Sequence, residues 1–186
     1  MRRRSAPFTL LCAFATLVGL LGGGLRIAAG AAPAATEYEI KAAFLLHFSR
    51  FVEWPAGAFA APNAPLFICV LGDDPFGPIL EAIVRNEMVD SHPIAVAHHR
   101  SADQADRCHI LFVGRLAEPL ERQIFDQLHG KNILTVSDND EFARRGGVIG
   151  FLAVNGKIKL QVNRASAEQA QLRISSKLLR LADDVG

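Results

Sequence analysis

The sequence predicts an α/β fold: a single three-layer α/β/α domain with a mixed, mostly parallel sheet of about six strands and a C-terminal antiparallel hairpin. Three observations predict it. Apolar runs without alternation at 66–71, 109–113 and 133–136 read as strands buried on both faces. Segments of helical periodicity separate them, as crossovers between parallel strands require. Near the C-terminus, Asn155-Gly156 joins two apolar arms, a strong short-range hairpin signal.

Taken in order, Thr36-Glu37-Tyr38-Glu39 reads as a capping box, with Thr36 at the N-cap and Glu39 three residues on. Ile40, Phe44, Phe48 and Phe51 then recur at helical spacing until Pro55 ends the run. The strand at 66–71 follows. Asp74-Pro75 is expected to start the next helix, with Ile79, Leu80, Ile83 and Val84 as its buried stripe. A weaker strand at 93–97 precedes the strong one at 109–113. Pro119 opens a helix with Leu120, Ile124, Phe125 and Leu128 inward and Gly130 as its stop. After the strand at 133–136, Asp138 and Glu141 are placed to cap a short helix. The hairpin arms are 148–154 and 157–162. In the second arm Ile158, Leu160 and Val162 alternate with Lys157, Lys159 and Gln161, so one face is wet. Helical segments near 164–171 and 176–182 close the chain, with Leu178 and Leu181 on one face of the last.

The first 35 residues have a different character. Arg2, Arg3 and Arg4 precede an apolar run at 8–21, and a small-residue tract ends Ala28-Ala29-Gly30-Ala31-Ala32. That is the pattern of a cleaved secretory signal, and the run is shorter than the roughly 20 residues that cross a bilayer. The expected organisation is therefore a signal and small-residue tract at 1–35 and one periplasmic domain at 36–186. Residues 36–186 carry 16 basic and 19 acidic side chains, a net charge of −3. A weakly acidic domain lacks the electrostatic footprint of a nucleic-acid binder. Removal of the signal also removes Cys12 and leaves Cys69 and Cys108. An oxidising compartment favours their pairing, with two buried free thiols as the alternative. Two cysteines alone make a poor metal site, because structural zinc wants four ligands, and no metal is expected.

Catalytic patterns are lacking. The turn Gly72-Asp73-Asp74-Pro75-Phe76-Gly77 follows a strand and opens a helix, where ligands bind in open α/β sheets. It has no phosphate-loop glycines or lysine, and two carboxylates would repel an anion. A phosphorylatable receiver would need an acceptor Asp after Val113, where Gly114 stands; Ser137 alone does not make one. His98 and His99 are adjacent on a strand end and point to opposite faces. Gly-x-Ser-x-Gly is absent. The sequence reads as a non-enzyme without a cofactor. The segment 48–55, containing Trp54, and the stretch 174–181 are the aromatic and amphipathic candidates for core or for a contact surface.

Read together, Lys41-Ala42-Ala43-Phe44-Leu45, Val52-Glu53-Trp54-Pro55, Cys69-Val70-Leu71-Gly72-Asp73-Asp74-Pro75-Phe76-Gly77, Cys108-His109-Ile110-Leu111-Phe112-Val113, Leu134-Thr135-Val136-Ser137-Asp138, Gly146-Gly147-Val148-Ile149 and Ile174-Ser175-Ser176-Lys177-Leu178-Leu179 resemble, in that order, the YfiR family of periplasmic regulatory proteins. The resemblance implies a repressor that contacts the periplasmic sensor domain of a membrane-bound diguanylate cyclase and so lowers cyclic di-GMP signalling and biofilm formation. It further implies sequestration by an OmpA-like outer-membrane lipoprotein, homodimers, and Cys69–Cys108 as the family's disulfide. The best-known member's additional cysteines are not present here, so a second disulfide is not expected. Asp73, Asp74, Trp54, Ser137 and Asp138 are the candidate ligand or partner surface. The competing expectation is a periplasmic small-ligand-binding module built on the strand ends at 72–77 and 137–139.

Overall fold

A computed structural model describes residues 35–186, and the export segment read from the sequence lies outside the described residues. Helix α1 (Glu37–Phe51) begins with the capping box: the Thr36 hydroxyl accepts from the Glu39 amide at 3.3 Å, and the Glu39 carboxylate accepts from the Thr36 amide at 2.5 Å. Its buried face is Lys41, Ala42, Leu45, Leu46, Phe48 and Ser49. This corrects the expected aromatic stripe. Phe48 is fully buried, whereas Phe44 and Phe51 lie at the margin and Ile40 is exposed. The helix is rotated so that Lys41 points inward, where it has a charged partner.

After the two-residue strand β1 (Val52–Glu53), the main sheet starts with β2 (Leu66–Leu71) and continues through β3 (Met88–Val89), β4 (His92–His99), β5 (Ile110–Val113), β6 (Leu134–Ser137), β7 (Ile149–Val154), β8 (Lys157–Val162) and β10 (Ala182–Asp184). In space the order is β10-β8-β7-β6-β5-β2-β4-β3. The run β4-β2-β5-β6-β7 is parallel, β3 and β8 pair antiparallel to their neighbours, and β10 lies parallel to β8. The sheet thus has eight strands, not six. The two extra ones, β3 and β10, are edge strands too short to leave an apolar run in the sequence. A separate two-stranded sheet pairs β1 with β9 (Arg173–Ile174).

Alternate residues of the central strands feed two cores. Ile68, Val70, Ile110, Phe112, Leu134 and Val136 pack against α1 and α2 (Pro78–Val84). Cys69, Leu71, Leu111 and Val113 pack on the other face against α3 (Glu118–Leu128) and a short 3₁₀ segment, Ala102–Arg107. Two packed faces explain why these strands are apolar throughout, and they make the three layers.

Helix α2 starts later than expected. Asp74 does not cap it; its carboxylate accepts from the Phe76 amide at 2.8 Å in a local turn, and Pro78 takes the first helical position instead. In α3 Ile124 and Leu128 are buried as expected, but Leu120 is 48% exposed and Glu121 is buried in its place. The stretch after Asp138 forms turns rather than a capped helix, with Glu141 at φ +61°. Gly147 is required there, since a Cβ would lie 2.1 Å from the Phe142 ring. The hairpin forms as expected, with Asn155 and Gly156 both at positive φ and Val154 opposite Lys157. Gln161, placed on the wet face by alternation, is buried: it lies opposite Gly150 in β7, on the face that Ala143 covers. Helix α4 (Arg164–Gln169) is capped by Asn163, whose side chain accepts from the Ser166 amide. Helix α5 (Ser176–Leu179) is a single turn; the chain leaves it before Leu181, which is 71% exposed.

Candidate functional site

Strands β2, β5 and β6 end side by side, with Leu71, Val113 and Ser137 in one register row. The connection from β2 runs outward to β4 on one side, while β5 and β6 lie on the other. The chain direction therefore reverses between β2 and β5, the position at which open α/β sheets form a crevice. Here the crevice is closed by backbone. The Gly114 amide donates to the Leu71 carbonyl at 2.9 Å, and a Cβ on Gly114 would meet the Asp73 carbonyl oxygen at 2.8 Å. Only glycine fits between the two loops.

Next to this closure lies a buried ionic network. Lys41 Nζ contacts Asp138 Oδ2 at 2.6 Å and Glu37 Oε1 at 2.5 Å, one helical turn back. The Tyr38 hydroxyl donates to the same Asp138 oxygen at 3.0 Å, and Arg115 Nε stands 3.7 Å from Oδ1. Lys41 is 1% exposed and Asp138 7%. Burial works to lower the Lys41 pKa, but hydrogen bonds from the ammonium to Asp138 and Glu37 more than offset it and hold the group above its ordinary value. The Tyr38 hydroxyl is pushed up by burial and by donating to the Asp138 carboxylate. Both groups stay protonated, so neither supplies a base.

Neighbouring polar groups are equally engaged. The Ser137 hydroxyl donates to the Val113 carbonyl at 2.7 Å and accepts from the Asn139 amide at 3.1 Å. Asn139 donates to the Leu116 carbonyl and to Glu121, whose other oxygen holds Arg145 at 2.8 Å. That bond raises the Arg145 guanidinium above its usual range. Asp74 meets His98 Nε2 at 3.2 Å, and Asp73 is exposed.

Four of the five sequence-derived surface residues thus share one pole of the sheet, in two tiers. Asp73 and Asp74 reach solvent; Ser137 is fully enclosed and Asp138 nearly so, because each bonds inward to hold a loop. Trp54 is elsewhere. It packs edge-on to His109 at the amino end of β5, with Phe59 stacked between His109 and His92. Sequence reading missed Lys41, Tyr38 and Arg115. The one signal available was the four-residue spacing of Glu37 and Lys41, which reads equally well as an exposed helix pair. Cys69 in β2 and Cys108, two residues before β5, form a disulfide with Cα atoms 5.8 Å apart, so the free-thiol alternative falls. A cavity of about 240 Å³ lies beneath the amino ends of β6 and β7, lined by Phe125, Ile133, Thr135, Arg145 and Val148 among others.

His109 carries a pH dependence. Its Nδ1 accepts from the Phe67 amide at 3.1 Å, which requires a neutral ring. Burial pushes it down to about 4, with His92 adding to the effect and the Ala58 carbonyl opposing it. In the unfolded chain the ring titrates near its ordinary value of about 6.5. Between those values the unfolded state holds a proton that the folded state lacks, so stability is full above about pH 6.5 and falls as pH drops toward 4. The loss is about 3 kcal/mol over that window. Urea denaturation from pH 7 to pH 4 should show this slope, and His109→Phe, which keeps the stacked ring, should flatten it. An unchanged slope in the variant would reject the assignment.

Among the described residues no helix is long and apolar enough to cross a membrane. Residues 38–183 match the model of the family described as YfiR/HmsC-like.

Proposed function

This chain therefore belongs to the YfiR/HmsC-like family, and from that premise we propose that it represses an inner-membrane diguanylate cyclase by binding the enzyme's periplasmic sensor domain. The family is one of periplasmic, non-catalytic regulators of diguanylate cyclases. Release by an OmpA-like lipoprotein, action as a homodimer, and export by residues 1–35 belong to the same proposal.

The observation that supports repression by contact is the two-tier pole. The enclosed side chains of Lys41, Ser137 and Asp138 are each committed to another protein group, and Asp73, Asp74 and Arg115 are carried on the outside. A pre-organised charged surface suits a repressor, since coupling arises from binding one state of the target better than the other. Rim charges of this kind set the encounter rate and partner choice more than raw affinity.

Deleting the gene should raise cyclic di-GMP and surface attachment several-fold, and wild-type protein should restore both. Asp73→Lys, which touches no hydrogen bond of the fold, should restore neither while folding normally. Unchanged cyclic di-GMP in a deletion strain that expresses the cyclase would overturn the reading. The cavity below β6 and β7 favours a second reading, a small-ligand module. Its two strong cations are already engaged, Arg145 by Glu121 and Lys131 by Asp106. Ligand-dependent thermal stabilisation of purified protein would support that reading.

A further inference from the structure

The disulfide has a third neighbour. In the parallel pairing of β2 with β4, Cys69 lies opposite Ala97 and Leu71 opposite His99. Side chains two apart on a strand share a face, so His99 stands on the cysteine side of the sheet. A ring nitrogen of His99 and the sulfurs of Cys69 and Cys108 all lie within 4.8 Å of one another. The two sulfurs are in the core at 1% and 4% residue exposure, while His99 is half-buried and opens the cluster toward solvent.

Two thiolates and an imidazole are the donor set of a thiophilic d¹⁰ cation. Sulfurs bound to one such ion at about 2.3 Å sit roughly 3.8–4.0 Å apart. The Cα atoms of Cys69 and Cys108 are 5.8 Å apart, farther than that spacing.

We propose that reduction of Cys69–Cys108 converts this corner into a binding site for zinc(II) or copper(I), with the sulfurs of Cys69 and Cys108 and a ring nitrogen of His99 as ligands. The reductant is a dithiol. It gives two electrons and two protons to the bridge, leaves as its own disulfide, and yields two cysteine thiols. The cation then displaces both thiol protons. Copper(I) is satisfied by the three ligands; zinc(II) takes a water in the fourth position from the solvent-facing side. The disulfide form lacks the two thiolates and is not a site.

The test uses purified protein reduced by a phosphine, which turns the bridge into two thiols, and then desalted under argon, because a phosphine left in solution would itself coordinate copper(I). Under argon, zinc(II) and copper(I) are titrated separately against a chromophoric competitor. One ion of at least one of them should bind per reduced chain, none should bind the disulfide form, and His99→Ala should weaken binding at least about tenfold. Absence of stoichiometric binding of both metals, equal binding by the disulfide form, or unchanged affinity in His99→Ala would each overturn the proposal. Circular dichroism is followed throughout. If the reduced chain unfolds, the cation should restore the folded signal, because ligand-coupled folding reports the same site; failure to restore it overturns the proposal as well.

Discussion

Asp138→Ala is expected to lower stability by about 3 to 5 kcal/mol, the usual effect of removing one member of a buried ion pair. The variant leaves Lys41, 1% exposed, with Glu37 as its remaining charged partner, and Glu37 is itself half in solvent. It also strips the Tyr38 hydroxyl of its acceptor. Lys41→Met alone leaves Asp138 facing Arg115 at 3.7 Å through a largely exposed side chain and should cost less. The double change, Lys41→Met with Asp138→Leu, removes both charges and should recover most of the loss, because replacing a buried pair by apolar groups is often neutral or better. Urea denaturation of these variants, with Asp138→Leu alone to close the cycle, measures the coupling. Additive losses in the double variant would mean that the pair does not act as a unit.

Replacing Cys69 and Cys108 by Ala should cost about 4 kcal/mol. The bridge spans 39 positions, and closing a loop of that size removes roughly this much free energy from the unfolded ensemble. Because the term acts on the unfolded chain, the denaturant slope should rise as that chain becomes more expanded. Differential scanning calorimetry with and without reductant gives the same comparison in the wild type. A loss under about 1 kcal/mol would show that the strands hold their register without the bridge.

Much of this architecture was legible in the sequence, for reasons that differ by element. β2, β5 and β6 were visible because both faces of each are buried, leaving unbroken apolar runs. Asn155-Gly156 was visible because few residues tolerate two consecutive positive φ angles. β3 and β10 were hidden because an edge of two or three residues buries too little to select composition. Leu120 and Leu181 misled because apolar spacing locates a helix but not the azimuth at which it docks. The same limit applies to the candidate site. Asp73 and Asp74 stood out as a carboxylate pair after a strand, and the pole is where strand order placed it. Lys41 and Glu121 went unread because a charged residue on a helix looks exposed until its partner, nearly a hundred residues away for Lys41, is brought to it.

The β1–β9 pair has a further consequence. Val52 lies opposite Ile174 and Glu53 opposite Arg173, and the Ser175 amide donates to the last carbonyl of α1 at Phe51. The first helix is thus fastened by residues that follow it only after the seven strands β2 to β8. A polypeptide made amino end first offers α1 early and the clasp only after β2 to β8 have been made. Contacts so distant in sequence form slowly, so the domain lingers open during its own production. If the chain is exported as proposed, this late closure keeps α1 unclasped while the strands between it and β9 are being made and threaded across the membrane.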